Sequence, residues 1–405
     1  MHYDIVVIGM GLSGLMAAKT AAEAGRKVLI VGRGAGSLCL FSNTIDLLGD
    51  LPKRTNVGNG LPQWIEDHPQ HPYSKAGQAG IDEALASFVS LFSPPYSFQS
   101  VGDENCMILT GAGTFRPTRL IPSTMVGGTS GKQGKTLIVG FEGFKDFYAH
   151  YAADGLGCQG ITLPLPETLN QEITATVLAR FMEQDSFRQN IAREIRTHLN
   201  GETRVGFPAV LGLHDPIQVK KGLEDNLWVE VFEIPALPPS IPGWRIFNRF
   251  RAWLIQKGVT FLMGQPVSKV SLKGARCEGV YVLNPPVTTF YSGDRFILAT
   301  GRFMGGGLVA DQENIFEPIF NLPVTQPESR DGWFKRLFSE DHPIHHIGIV
   351  TDSSLRPVDG KGALLLENAW VAGSILAHHN LIEEKSREGI EIATGTMAAK
   401  RALER

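Results

Sequence analysis

An α/β fold built on a parallel sheet is what the sequence predicts, and three observations predict it. The chain opens with a β-branched apolar run, a glycine turn and an alanine-rich helix, and a second apolar run follows directly. Two late apolar runs end in Ala-Thr-Gly and Ala-Gly. The long region in between carries strand and helix signals of its own. The simplest architecture is a discontinuous Rossmann-like domain of the two-dinucleotide-fold type, residues 1–55 and 243–405. An inserted α/β region over residues 56–242, for substrate or partner docking, interrupts it.

Each element follows from local chemistry. Tyr3-Asp4-Ile5-Val6-Val7-Ile8 reads as a strand buried on both faces. Leu15 to Ala24 is rich in strong helix formers and stops at Gly25, and Lys27 to Val31 completes a βαβ unit. From Leu51 to Gln78 the composition turns to Pro, Gly, Asn and His, which reads as a surface excursion. Thr136 to Gly140 then predicts a strand, followed by a helix over Phe144 to His150. A long amphipathic stretch runs from Glu172 to Leu199, and a helix from Arg245 to Lys257. Short strands follow at 259–263, 267–270 and 279–282, then the two late strands at 295–301 and 368–373, and a last helix from Thr396 to Leu403.

Composition narrows the function. Lys+Arg 38 against Asp+Glu 41 gives a net charge of −3, which argues against a general binder of nucleic acid or anionic membranes. The four cysteines, Cys39, Cys106, Cys158 and Cys277, form no C-x-x-C pair. They make no case for zinc or for an iron–sulfur cluster of the chain's own, and at this density a reducing compartment fits best. The opening Met1-His2-Tyr3-Asp4 has no basic leader, and the apolar stretch from Ile5 to Ala18 is interrupted by glycines and short for a membrane span. The expectation is a cytoplasmic chain that reaches any membrane through a partner.

The glycine turn is Gly9-x-Gly11-x-x-Gly14, between a strand and a helix. In that setting Gly9 makes the tight turn, Gly11 lets a pyrophosphate approach the backbone, and Gly14 lets helix and strand pack closely. Ser13 stands in the same turn. The acid expected at the end of the second strand is missing, because Val31 leads into Gly32-Arg33. Arg33 either meets a phosphate there or is a solvated surface charge. Ala299-Thr300-Gly301 and Ala372-Gly373-Ser374 look like the turns that two-dinucleotide-fold flavoproteins place against their cofactor, and Gly395-Thr396 opens a helix whose positive end would face a flavin. Gly134-Lys135-Thr136 resembles the end of a P-loop but precedes its strand, so nucleoside triphosphate binding there is rejected. The histidines, including the pairs His345-His346 and His378-His379, read as solvated loop residues. Arg116, Arg119, Arg204, Arg302 and Arg356 are candidates for an anionic substrate or phosphate, with Arg302 and Arg356 preferred for substrate.

These residues resemble the B subunit family of anaerobic glycerol-3-phosphate dehydrogenase over nearly the whole chain. Besides the opening turn, the carriers are Phe41 to Leu48, Pro235 to Ser240, Ala299 to Leu308 and Gly348 to Pro357. The resemblance implies a flavoprotein, with FMN assigned to this subunit and FAD as the alternative. It also implies an FAD-bearing A subunit and an iron–sulfur C subunit as partners at the membrane. Together they would oxidise sn-glycerol 3-phosphate to dihydroxyacetone phosphate and pass electrons to quinone. Ser42, Asn43 and Thr44 would line the phosphate–ribityl path. The charged stretch His378 to Gly389 departs from the glycine-rich sequence usual before the last helix. A stand-alone flavin dehydrogenase of another small acid, or a flavin-stabilised scaffold without turnover, remain the other readings.

Overall fold

The computed structural model describes residues 1–49, 57–100, 104–166 and 173–404. The chain opens with the predicted unit: β1 (His2–Ile8), α1 (Leu12–Glu23) and β2 (Val28–Gly32). Ile5 to Ile8 and Val28 to Val31 are buried, as strands covered on both faces must be. Two helices follow, α2 (Val57–Asp67) and α3 (Pro72–Ser90), where a surface excursion is expected from composition. Their Gly, Pro and His residues conceal a helical pattern. Pro72 occupies the first turn of α3, where its missing N–H does no harm, His71 caps the helix by accepting from Tyr73 N, and Gly77 takes a φ of 67° at a kink. The first residues of that stretch lie outside the described ones.

Next come a hairpin of β3 (Cys106–Leu109) and β4 (Phe115–Thr118), and then β5 (Lys135–Phe141), α4 (Ala149–Leu156) and β6 (Gln159–Leu163). They are followed by α5 (Ala175–Met182), α6 (Asp185–His198), β7 (Glu202–Pro208), α7 (Pro216–Leu227) and β8 (Glu230–Ile234). After α8 (Ile241–Gln256) the chain forms β9 (Thr260–Met263), β10 (Val267–Lys273), β11 (Arg276–Asn284) and β12 (Val287–Leu298). It ends with β13 (Ala369–Val371) and α9 (Arg387–Leu403).

Two compact units result, one of Met1–Ser37, Asp46–Leu91 and Phe247–Arg405, the other of Leu38–Ile45 and Phe92–Ile246. The sequence expectation of 1–55 and 243–405 around 56–242 therefore shifts in two places. Residues 38–45 fold with the second unit, and α2 and α3 with the first. The physical reason for the latter is packing: α3 lies along α9, so close that a Cβ on Gly80 would come within 2.7 Å of Met397 Cε.

The first unit holds a sheet in the order β9-β2-β1-β12-β11-β10, with β13 also on β12. β9, β2, β1, β12 and β13 run parallel, and β10, β11 and the first half of β12 form an antiparallel meander. The second unit has a fully parallel sheet, β8-β7-β5-β6, over a core that includes Val139, Val205, Phe207 and Val231. Within it Glu233 and Arg245 form a buried bidentate pair at 2.7 Å on both arms, and Leu211 N donates to the same carboxylate at 2.8 Å. Among the described residues no helix is long and apolar enough to cross a membrane.

Candidate functional site

The glycines of the opening turn separate by what surrounds them. Gly9 has a φ of 119°, and a Cβ there would lie 2.1 Å from Ala299 O; a Cβ on Gly14 would lie 2.1 Å from Gly9 O. Both positions are closed by backbone, as the turn and the helix–strand contact require. A Cβ on Gly11 would meet nothing within 4 Å. Gly11 is also the cap position of α1, in extended backbone, with no side chain capping the helix and no acid in its first turn. The space beside Gly11 is thus open at a helix end that no side chain caps and no acid opposes, the arrangement an anionic phosphate needs. The turn fits the phosphates of a nucleotide.

The position where an acid is expected is sterically tight. A Cβ on Gly32 would lie 3.0 Å from Met10 Cγ and 3.2 Å from Met10 N, so β2 ends where a side chain would crowd Met10. Arg33 is exposed and lies over the turn at Gly306, its Nη1 2.8 Å from where a Cβ would stand.

The late turns converge on the same helix. Ala372 N donates to Leu298 O at 2.9 Å, and Gly373, at a φ of 84°, leaves room for Ser13 Oγ, which a Cβ would approach to 2.3 Å. Gly373 N donates to Thr394 Oγ1 at 2.8 Å. A Cβ on Gly301 would stand 3.5 Å from Ser374 Oγ, and the hydroxyl of Thr300 is buried without a partner. Ser13, Gly373, Thr394 and Gly395 are thus brought together, because a Cβ on Gly395 would lie 2.3 Å from Ser13 O.

That contact corrects the expectation for the last helix. It begins at Arg387, nine residues before Thr396, so Gly395 and Thr396 sit inside α9 and not at its N-terminus. Gly395 is there to let α9 lie against α1. Thr396 is buried, its hydroxyl unpartnered. The first turn of α9 instead holds Glu388, paired with Arg387.

Ser42, Asn43 and Thr44 belong to the second unit. Arg116 donates to Thr44 Oγ1 at 2.7 Å and to Ser42 Oγ at 3.2 Å. Asn43 is a backbone tie: at a φ of 56° its amide donates to Leu38 O, Phe41 O and Ser240 Oγ. The preferred arginines are likewise engaged. Arg302 donates to the carbonyls of Ser374, His345, Leu376 and His379, and burial pushes it down to about 10. Arg356 pairs with Asp352 at 2.7 Å. Arg204 donates to Gly127 O and Gly134 O, and Arg119 to Glu104 O.

The histidines are not all solvated. His379, His71 and His342 are buried, and His71 Nε2 lies 3.1 Å from Glu384 Oε2. Burial holds His379 well below the ordinary imidazole range, with Arg302 and His71 adding to it. Sequence reading also passes over Arg387, Glu388 and Glu391, all buried on α9. The available signal is a lone acid in Gly389-Ile390-Glu391-Ile392-Ala393, four residues before Gly395 and hence on its face of the helix.

A βαβ unit with an open, uncapped glycine turn, joined by two further glycine turns, defines a nucleotide-binding flavoprotein fold, and residues 4–385 match the FAD binding domain family. The chain belongs to that family and, within it, to the B subunits of anaerobic glycerol-3-phosphate dehydrogenase. It is 32% identical over 419 residues to a protein of Halobacterium salinarum named as the probable B subunit of that enzyme, covering 99% of this chain and 98% of that one. It is 28% identical over 427 residues to the B subunit of the anaerobic glycerol-3-phosphate dehydrogenase of Vibrio cholerae, covering 100% and 97%. Among solved structures it is similar to the 3-ketosteroid delta1-dehydrogenase of Sterolibacterium denitrificans, with 11% identity, full coverage of both chains and a TM-score of 0.48.

Proposed function

We propose that this chain is the flavin-bearing B subunit of a dehydrogenase complex that oxidises sn-glycerol 3-phosphate to dihydroxyacetone phosphate and passes the electrons to quinone. Its partners are an FAD-bearing A subunit and an iron–sulfur C subunit that anchors the complex, so the chain is cytoplasmic and meets the membrane through its iron–sulfur partner. The names of the relatives and the match to the FAD binding domain family support this reading. The observation that carries it is Gly11, facing open space before an uncapped α1.

The chain's own part is binding and orientation. The amides after Gly11 and the positive end of α1 hold phosphate, and Gly9 and Gly14 keep that turn rigid by contact with backbone. Gly373 admits Ser13 beside the turn, and Arg33 stands exposed at the Gly306 loop. A flavin would supply a centre that takes two electrons and gives them up singly, which suits a subunit that relays to iron–sulfur partners. FAD is the nucleotide we propose, since the turn is of the pyrophosphate kind and the family is FAD-binding. FMN is the second reading, favoured by Gly32, which stands where a ribose-binding acid would and is crowded by Met10.

Purification of the chain tests this directly. Flavin absorbance is expected, and chromatography of the heat-released nucleotide decides FAD against FMN. Bleaching by glycerol 3-phosphate in the isolated chain indicates direct oxidation, and bleaching only with the A subunit added indicates relay. A chain without flavin absorbance contradicts the proposal.

A further inference from the structure

Helix α9 buries three ionisable side chains, Arg387, Glu388 and Glu391, at 7%, 2% and 4% exposure. Arg387, Glu391 and Gly395 follow one another at intervals of four, so they share the face that Gly395 lays against α1. Glu391 Oε1 lies 3.4 Å from Ser37 Oγ, which accepts from Arg387 Nη1 at 2.9 Å. The other carboxylate oxygen, Oε2, is buried with no hydrogen-bond partner.

Its surroundings are the glycine turn. Ser37 follows Gly36, where a Cβ would lie 3.0 Å from Gly11 Cα. On the other side, a Cβ on Gly373 would lie 2.3 Å from Ser13 Oγ and 3.9 Å from Glu391 Cγ. A buried carboxylate with one bare oxygen is a costly state, and a buried carboxylic acid with an unanswered O–H is one hydrogen bond short. The acceptor it lacks is what a nucleotide presents in its phosphate, ribityl and carbonyl oxygens.

We propose, resting on the flavin reading above, that Glu391 binds the nucleotide as a neutral acid, donating the hydrogen on Oε2 to one of its oxygens, so that binding takes up a proton. Burial favours the neutral form and pushes Glu391 up to about 7, with Arg387 and Ser37 opposing and Glu388 adding. The elements packed around it contribute little else that titrates. The first turn of α1 has no acid, and farther along it Lys19 pairs with Glu23. Tyr73 of α3 is held protonated by its burial and by Glu384, Glu388 and Asp46.

The test is titration of FAD and FMN into the flavin-free full chain from pH 6 to pH 9, followed by flavin fluorescence. Wild-type affinity should be level below about pH 7 and weaken above it, approaching tenfold per pH unit. Calorimetry at about pH 8 in buffers of different ionisation enthalpy should then show uptake of about one proton. Glu391→Gln keeps a donor and removes the titration, so its affinity should stay within about threefold across the range, with no proton taken up. Glu391→Ala should bind about tenfold more weakly than wild type near pH 6. Wild-type affinity that is level throughout, or a Gln variant with the wild-type slope, overturns the proposal and leaves the flavin reading standing. Wild type that binds neither nucleotide at any pH overturns both.

Discussion

In the second unit, helices that follow parallel strands are closed by the chain itself. Thr174 accepts from Val177 N at 3.4 Å to cap α5, and Asp215 from Gln218 N at 3.0 Å to cap α7. Only the eight-residue α4 lacks such a cap among them. In the first unit, α1 follows β1 with a glycine at the cap and nothing within 4 Å of where its Cβ would be. Both units contain parallel strands joined by helical crossovers, those of the first beside an antiparallel meander. The difference teaches that a parallel sheet alone does not single out an anion site; what sets α1 apart is a glycine cap beside open space, which makes that end the candidate. Each capped end already has one of its first-turn amides answered by a side chain, and the acid at Asp215 would repel a phosphate besides.

This contrast can be broken at several points. The largest effect is expected at Gly14→Val, because the new Cβ would stand 2.1 Å from a backbone oxygen that cannot move aside. It should destabilise the first unit by more than about 4 kcal/mol, seen as loss of soluble protein or of a cooperative melt. Glu233→Ala comes next. It strands Arg245 as a buried unpaired charge in the second unit, and a urea titration should register about 3–5 kcal/mol of destabilisation. Asp215→Ala is the mildest. Removal of the α7 cap should lower stability by about 1 kcal/mol, with flavin content unchanged. Lost flavin in that variant would mean that the second unit does more for the nucleotide than its capped helices suggest.

How much of this was legible in the sequence depends on how local its cause is. The βαβ unit, the tight turn at Gly9 and the close helix–strand contact at Gly14 were legible, because turn chemistry and apolar runs act within a few residues. Helices α2 and α3 were not, because Pro62 inside α2 and Pro72 and Gly77 in α3 are loop signals; Pro72 is compatible with helix at a first-turn position behind the His71 cap, and Gly77 at a kink. The start of α9 was misplaced because its first turns are charged, and those charges are buried, Arg387 against Ser37 some 350 residues earlier. The same distance hid Glu391. The reading of Arg302 as a substrate contact met a different obstacle: only folding brings four carbonyls around it. The pair of Arg116 with Thr44 likewise joins residues 72 apart.

The central claim is that the nucleotide phosphate sits against Gly11, and one measurement addresses it without other assumptions. Gly11→Val places its Cβ where no other atom lies within 4 Å, so the thermal midpoint of the flavin-free chain should change by no more than about 3 °C. Flavin affinity should fall by about a hundredfold or more, since the phosphate loses its approach to the backbone. A folded Gly11→Val chain that binds flavin as tightly as wild type would contradict the account.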